Sequence, residues 1–183
     1  LIRGPVGEEV TLQLRKASDN SVYEETLERE TITEETVSSV TLSAYPGTVY
    51  MHISSFTETS SSDFAAHYNK LLNQGEIENL ILDLRSNGGG NFYACIAIGE
   101  YFVPLNEMVV SEKTSSGSEE HRSSSGQLNG LNVIVLQNAY TASASEVLIG
   151  ALKDKADATL IGTTTYGKGI TQSIVMLESG SGH

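Results

Sequence analysis

Residues 79–84, Asn-Leu-Ile-Leu-Asp-Leu, form a short and almost unbroken apolar run, as expected of a strand covered on both faces. Gly88-Gly89-Gly90 interrupts it, and the stretch from Phe92 to Phe102 predicts a helix. Met108–Val110 is strand-like, and residues 115–126 carry no apolar period, which predicts a polar loop. A second buried strand is expected over 131–136, a helix over 145–155, a strand over 158–161 and an alternating strand over 170–177. Upstream, residues 10–14 and 47–53 alternate with period two, and 21–24 and 30–33 suit short strands. Ser61-Ser62-Asp63 offers a helix cap, Phe64, Tyr68, Leu71 and Leu72 follow at helical spacing, and Gly75 supplies the stop. The pattern is that of an α/β protein with strand-rich segments at both ends.

Composition narrows the partners more than the fold. At 183 residues the chain suits one compact domain, and 39% hydrophobic with 19% charged residues suits a globular core. A formal charge of −12 argues against nucleic acid and against anionic lipid, both of which select basic surfaces. Acidic residues are dense at 8–35, where they alternate with apolar and threonine positions and read as solvated strand faces. No apolar run is long enough to span a bilayer as a helix. The chain opens in mid-pattern at Leu1-Ile2-Arg3, as expected of an excerpt. Cys95 is the single cysteine, which excludes an internal disulfide and a thiolate metal cluster.

Gly162-Thr-Thr-Thr-Tyr-Gly-Lys168 has most of a phosphate-binding loop. That motif needs a helix after it and a hydroxyl residue following the lysine. Here an alternating, β-branched stretch follows, and Gly169 stands at the hydroxyl position. Without a helix start there is no dipole to hold phosphate, so nucleotide binding is not expected. A solvated lysine in a surface hairpin is the plain alternative for Lys168.

Two further stretches bear chemistry. Ser143 lies between the expected strand 131–136 and the expected helix 145–155, a position from which a hydroxyl projects toward helix amides. Ser143-x-x-Glu146 is also a capping box, which accounts for the serine without catalysis. A nucleophilic serine needs a base, and none of His52, His67, His121 and His183 lies in a catalytic-looking motif. Lysine is the better candidate, provided it is neutral when it accepts the proton. Gly88-Gly89-Gly90, after a buried strand, permits a close-approaching backbone whose amides bind anions, or simply a tight turn.

In order, Asp83-Leu-Arg-Ser-Asn-Gly-Gly-Gly90, Thr141-Ala-Ser-Ala-Ser-Glu146 and Tyr166-Gly-Lys-Gly-Ile-Thr-Gln172 resemble the carboxyl-terminal processing, or tail-specific, serine proteases. The resemblance covers residues 79–172 and, more weakly, 47–56. It implies a crotonase/ClpP-like core of β-α-β units with additional strands over 18–183, truncated at its C-terminal end. Residues 1–17 would be a remnant of a PDZ-like final strand and linker, the PDZ domain itself being absent from the chain. Ser143 would be the nucleophile, Lys168 the general base and Gln172 the residue that orients it, with the amides of Gly89 and Ala144 as oxyanion hole. Gly88 stands where the family usually has proline, and Tyr166 where phenylalanine is common. The resemblance further implies a protein or peptide substrate bound through its carboxyl-terminal segment, no metal or organic cofactor, and an extracytoplasmic setting. Homo-oligomerisation stays open. The alternative is a non-catalytic module binding an apolar ligand or peptide on the same core, as in retinoid-binding proteins that resemble this fold.

Overall fold

The computed structural model describes residues 2–31, 35–115 and 117–170. They divide into two compact units, residues 1–35 and 36–183. In the first, β1 (Glu9–Arg15) and β2 (Val22–Glu28) form an antiparallel hairpin with Glu9 opposite Glu28 and Arg15 opposite Val22. Asn20, at φ 58°, and the Asp19 carboxylate, which accepts from the Ser21 amide at 2.9 Å, make the turn. Every residue of β2 is exposed, as a solvated acidic strand should be. The domain boundary expected at residue 18 falls between the two strands of this hairpin.

The second unit is built on a five-stranded sheet. Its members are β3 (Val37–Thr41), β4 (Thr48–Ile53), β5 (Asn79–Asp83), β8 (Asn132–Gln137) and β9 (Thr159–Gly162), in the order β3-β4-β5-β8-β9. Only β3 runs antiparallel to its neighbour. The other four are parallel, so α1 (Ser60–Leu72), α2 (Phe92–Phe102) and α3 (Ala144–Lys155) serve as crossovers, and α2 packs on both α1 and α3. Alternate strand residues Val49, Met51, Ile53, Leu80, Leu82, Val133 and Val135 join Phe64, Ile98, Phe102, Leu148 and Leu152 in one buried cluster. At about 1.5–3 kcal/mol for each large side chain buried, this cluster dominates the stability of the unit. The expectation that β5 is covered on both faces holds for one face, since Ile81 and Ile134 on the other are half-buried.

Two elements differ from the sequence pattern. Residues 117–122 do not form an open loop: β6 (Met108–Thr114) and β7 (Gly117–Arg122) pair antiparallel, with Ser111 opposite Glu120 and Thr114 opposite Gly117. β7 has only half-buried or exposed residues, so backbone pairing holds it and no apolar period announces it. β3, with Val37 buried and its other residues half-buried or exposed, is likewise silent in the pattern. Helix α1 starts at Ser60, one residue before the expected cap, behind Thr59, whose hydroxyl donates to Asp63 (2.8 Å). The strands expected at 30–33 and 170–177 lie largely outside the described residues, and Glu30, Thr31 and Ile170 belong to no element.

The glycine run after β5 is stitched to the segment after β4. Phe56 donates its amide to Gly89 O (2.9 Å) and accepts from the Asn91 amide (2.7 Å). Gly90 sits at φ 132°, where a side-chain carbon would come 2.1 Å from the Phe56 carbonyl oxygen. Gly90→Ala is therefore expected to lower stability by roughly 2–4 kcal/mol, read from the denaturation midpoint, through strain and overpacking together. An unchanged midpoint would contradict the close approach.

Candidate active site

Three loops, each leaving the carboxyl end of a parallel strand, converge at one edge of the sheet. The first follows β5. Asp83, 2% exposed, is gripped by Arg85 through Nε (2.9 and 3.0 Å) and Nη2 (2.6 Å), and accepts from the Tyr50 hydroxyl (2.6 Å). Burial opposes its ionisation, but the hydrogen bonds from Arg85 and Tyr50 outweigh this and hold the carboxyl below the ordinary aspartate range. Asn87, fully buried, comes next, and its Oδ1 accepts the Gly89 amide at 2.9 Å. Gly89, at φ 101°, lies so close to the second loop that a side-chain carbon on it would be 2.8 Å from Ser143 Cβ and 3.0 Å from the Ala144 nitrogen. No residue but glycine fits there.

The second loop joins β8 to α3. Thr141, buried, accepts the Asn138 amide (3.0 Å) and donates its hydroxyl to Leu84 O (2.8 Å), tying this loop to the first. Ser143 follows in a sparsely populated backbone conformation, φ 59° and ψ −120°. A serine held this way between strand and helix is aimed outward, and strain at such a position persists only where the surroundings enforce it. It also forms the capping box anticipated with Glu146, whose carboxylate accepts the Ser143 amide at 2.8 Å. The Ala144 amide opens helix α3, where first-turn amides lack intrahelical acceptors. Cys95, pushed up to about 12 by burial, donates to the Ala144 carbonyl (2.9 Å) and serves packing.

The third loop follows β9 and carries Lys168. Glu146 does more here than cap a helix, which is all the sequence motif suggests. Its Oε1 accepts from the Thr165 hydroxyl (2.7 Å) and the Gly167 amide (2.6 Å), while Oε2 accepts from the amides of Ser143 and Lys168, both at 2.8 Å. The nitrogens of Ser143 and Lys168 thus share one oxygen and lie no farther apart than twice that distance. The Tyr166 amide adds a hydrogen bond to Thr141 O (2.9 Å). Partial burial pushes the Glu146 carboxyl up, but the Thr165 hydroxyl and the three amides prevail and hold it below the usual glutamate range.

Ser143, Ala144 and Lys168 line one cleft of about 830 Å³, together with Phe92, Val110 and Val147. The hairpin β6–β7 forms a wall through Val110 to Lys113, and His121 packs edge-on against Phe92. No histidine is among the lining residues; His67 instead bonds Ser39 Oγ through Nδ1 (2.8 Å). The arrangement brings together four of the five site residues expected from sequence, Ser143, Lys168, Gly89 and Ala144. Gln172 lies outside the described residues. Asn87, Thr165 and the second role of Glu146 were not foreseen, since each acts through contacts to distant loops.

The profile of Peptidase family S41 matches residues 47–183. A carboxyl-terminal-processing protease of Synechocystis sp. is 34% identical over 183 residues, covering 99% of this chain and 43% of the relative. The chloroplastic carboxyl-terminal-processing peptidase 2 of Arabidopsis thaliana is 32% identical over 189 residues, covering 100% of this chain and 36% of that protein. The chain therefore spans less than half the length of these curated relatives. Among solved structures, a photosystem II D1 C-terminal processing protease superposes with a TM-score of 0.67 at 29% identity, covering 98% of this chain and 50% of that one.

Substituting Glu146→Gln places an amide group where acceptors are needed, so at least one of its four donors loses its partner. The expected loss of stability at neutral pH is about 1–3 kcal/mol. Because the folded carboxyl titrates below its unfolded value, its stabilisation is complete above the ordinary glutamate pKa and fades as pH falls through the folded one. The gap between wild type and variant, read from urea midpoints, should close in acid. A gap that persists there, or never exists, would contradict the clamp.

Proposed function

Because the chain belongs to peptidase family S41, we propose that it forms the catalytic core of a serine endopeptidase that cleaves proteins near their carboxyl termini. Ser143 Oγ attacks the scissile carbonyl carbon while neutral Lys168 Nζ takes the hydroxyl proton. The new C–O bond pushes the carbonyl electrons onto oxygen, and the amides of Ala144 and Gly89 receive that charge. As the intermediate collapses, the C–N bond breaks and Lys168 returns the proton to the leaving amine. Water, deprotonated by the same lysine, then hydrolyses the acyl-enzyme and regenerates the serine. Gln172 orients the lysine amine in this scheme. A protein carboxyl-terminal segment is the substrate class, and an extracytoplasmic setting goes with the proposal.

The observation that supports this most is the Glu146 carboxylate, which binds the amides of Ser143 and Lys168 through one oxygen beside a shared cleft. An incidental capping serine requires no such tether to a lysine loop. In the intact protein, Ser143→Ala and Lys168→Ala should each abolish cleavage of an unstructured polypeptide, a drop of roughly 10⁴-fold or more. A fluorophosphonate or sulfonyl probe should label Ser143 in the wild type. Retained activity in either variant refutes the assignment. A Ser143 that no probe labels would favour a binding module instead.

A further inference from the structure

Asn87 is wholly buried where three segments meet. Its Nδ2 donates to the Ile53 carbonyl at the end of β4 (2.9 Å), and its Oδ1 accepts the Gly89 amide (2.9 Å). Its backbone carbonyl accepts from the Ala142 amide (3.0 Å) and the Ser145 hydroxyl (3.0 Å), which flank Ser143 and Ala144. One residue thus sets the glycine turn against the serine turn. The Gly89 hydrogen, assigned above to the oxyanion, is in this arrangement already bound.

We propose that Asn87 is a positioning residue for the oxyanion hole: it keeps the Gly89 amide on its own side-chain carbonyl until a tetrahedral oxyanion takes that hydrogen bond over. The inference rests on Ser143 being the nucleophile. A bound peptide carbonyl and Asn87 Oδ1 are neutral acceptors of similar strength, so exchanging one for the other gains nothing in the ground state. An oxyanion is an ionised acceptor, and its hydrogen bonds are roughly twice as strong. The exchange also leaves Oδ1 buried without its donor, so only the charged species drives it. The amide then contributes in the transition state and not before, which is where an interaction accelerates the reaction.

The turn is built for that swing. Gly88 has open space around it, nothing lying within 4 Å of where a side-chain carbon would be, and makes no hydrogen bond among the described residues. Gly89 is anchored on its other side, its carbonyl accepting the Phe56 amide (2.9 Å). Only the Gly88–Gly89 peptide needs to rotate, while Asn87 Nδ2 stays on Ile53.

A peptide boronate, which forms a tetrahedral anion on a serine hydroxyl, tests this by NMR on the full wild-type chain. Boron should turn tetrahedral on Ser143, and the Gly89 amide proton should move downfield while the Asn87 side-chain amide protons hold their positions. In the intact protein, Asn87→Asp puts a charged acceptor in competition with the oxyanion. It should lower kcat by about 10²-fold or more at unchanged KM. Boronate bonded to Ser143 with the Gly89 resonance unmoved would overturn the inference, as would a loss in Asn87→Asp confined to KM. Failure of the boronate to bond Ser143 at all would refute the nucleophile itself, and this inference with it. The wild-type spectrum decides the matter even if the variant fails to fold.

Discussion

A single ionised carboxylate carries the convergence of the candidate site. Glu146 accepts four hydrogen bonds, one from the serine turn and three from the loop that bears Lys168. That loop has little apolar anchorage of its own, with Tyr166 72% exposed and Gly167 at φ 89°. Moving a carboxylate out of water is costly unless its lone pairs are filled, and here both oxygens have two donors. The helix end adds to this, because a negative charge in the first turn of α3 meets the positive pole of the helix. Two further hydrogen bonds join the same strand ends, from the Tyr166 amide to Thr141 O (2.9 Å) and from Gln137 Nε2 to Thr163 O (3.1 Å).

The sheet supplies the frame for that interaction. Four parallel strands end at the same edge, so the loops after β4, β5, β8 and β9 are neighbours in the order of the strands. Polar contacts run along that edge in the same order. Ile53 at the end of β4 binds Asn87, Asn87 binds the turn around Ser143, and Glu146 binds the loop after β9. Each link joins adjacent strands, so a short side chain suffices at every step. Ser143, strained at φ 59°, and Gly89, at φ 101°, sit in the middle of this series, where contacts on both sides hold them.

The cleft draws on elements that the sheet does not order. Phe92 and Tyr93 begin α2, whose Asn91 cap accepts the Ala94 amide (2.9 Å), and the β6–β7 hairpin stands opposite with Val110 to Lys113. Along this wall one apolar residue, Val110, is followed by three polar ones, Ser111, Glu112 and Lys113. Its charged members lie within a chain of net charge −12.

Much of this was legible in the chain. The largely apolar runs at 79–84 and 131–136 announced two strands, helix α2 begins and ends where its spacing predicts, and the glycine run marked a close approach that Gly89 and Gly90 make. The serine at the strand-to-helix turn was visible too, though a cap explained it equally well. These features are legible because burial and backbone geometry act on neighbouring residues, and periodicity records them. The polar strand β7, the hub at Asn87 and the second hand of Glu146 left no such mark. β7 is held by backbone pairing within a hairpin, which leaves no apolar period, and the other two depend on hydrogen bonds between residues far apart along the chain, between Ser145 and Asn87 and between Thr165 and Glu146. Sequence alone therefore determined the α/β class and the three motifs. The tertiary structure decided which of them meet, because a hydrogen bond needs a partner within about 3 Å, and only folding sets that distance.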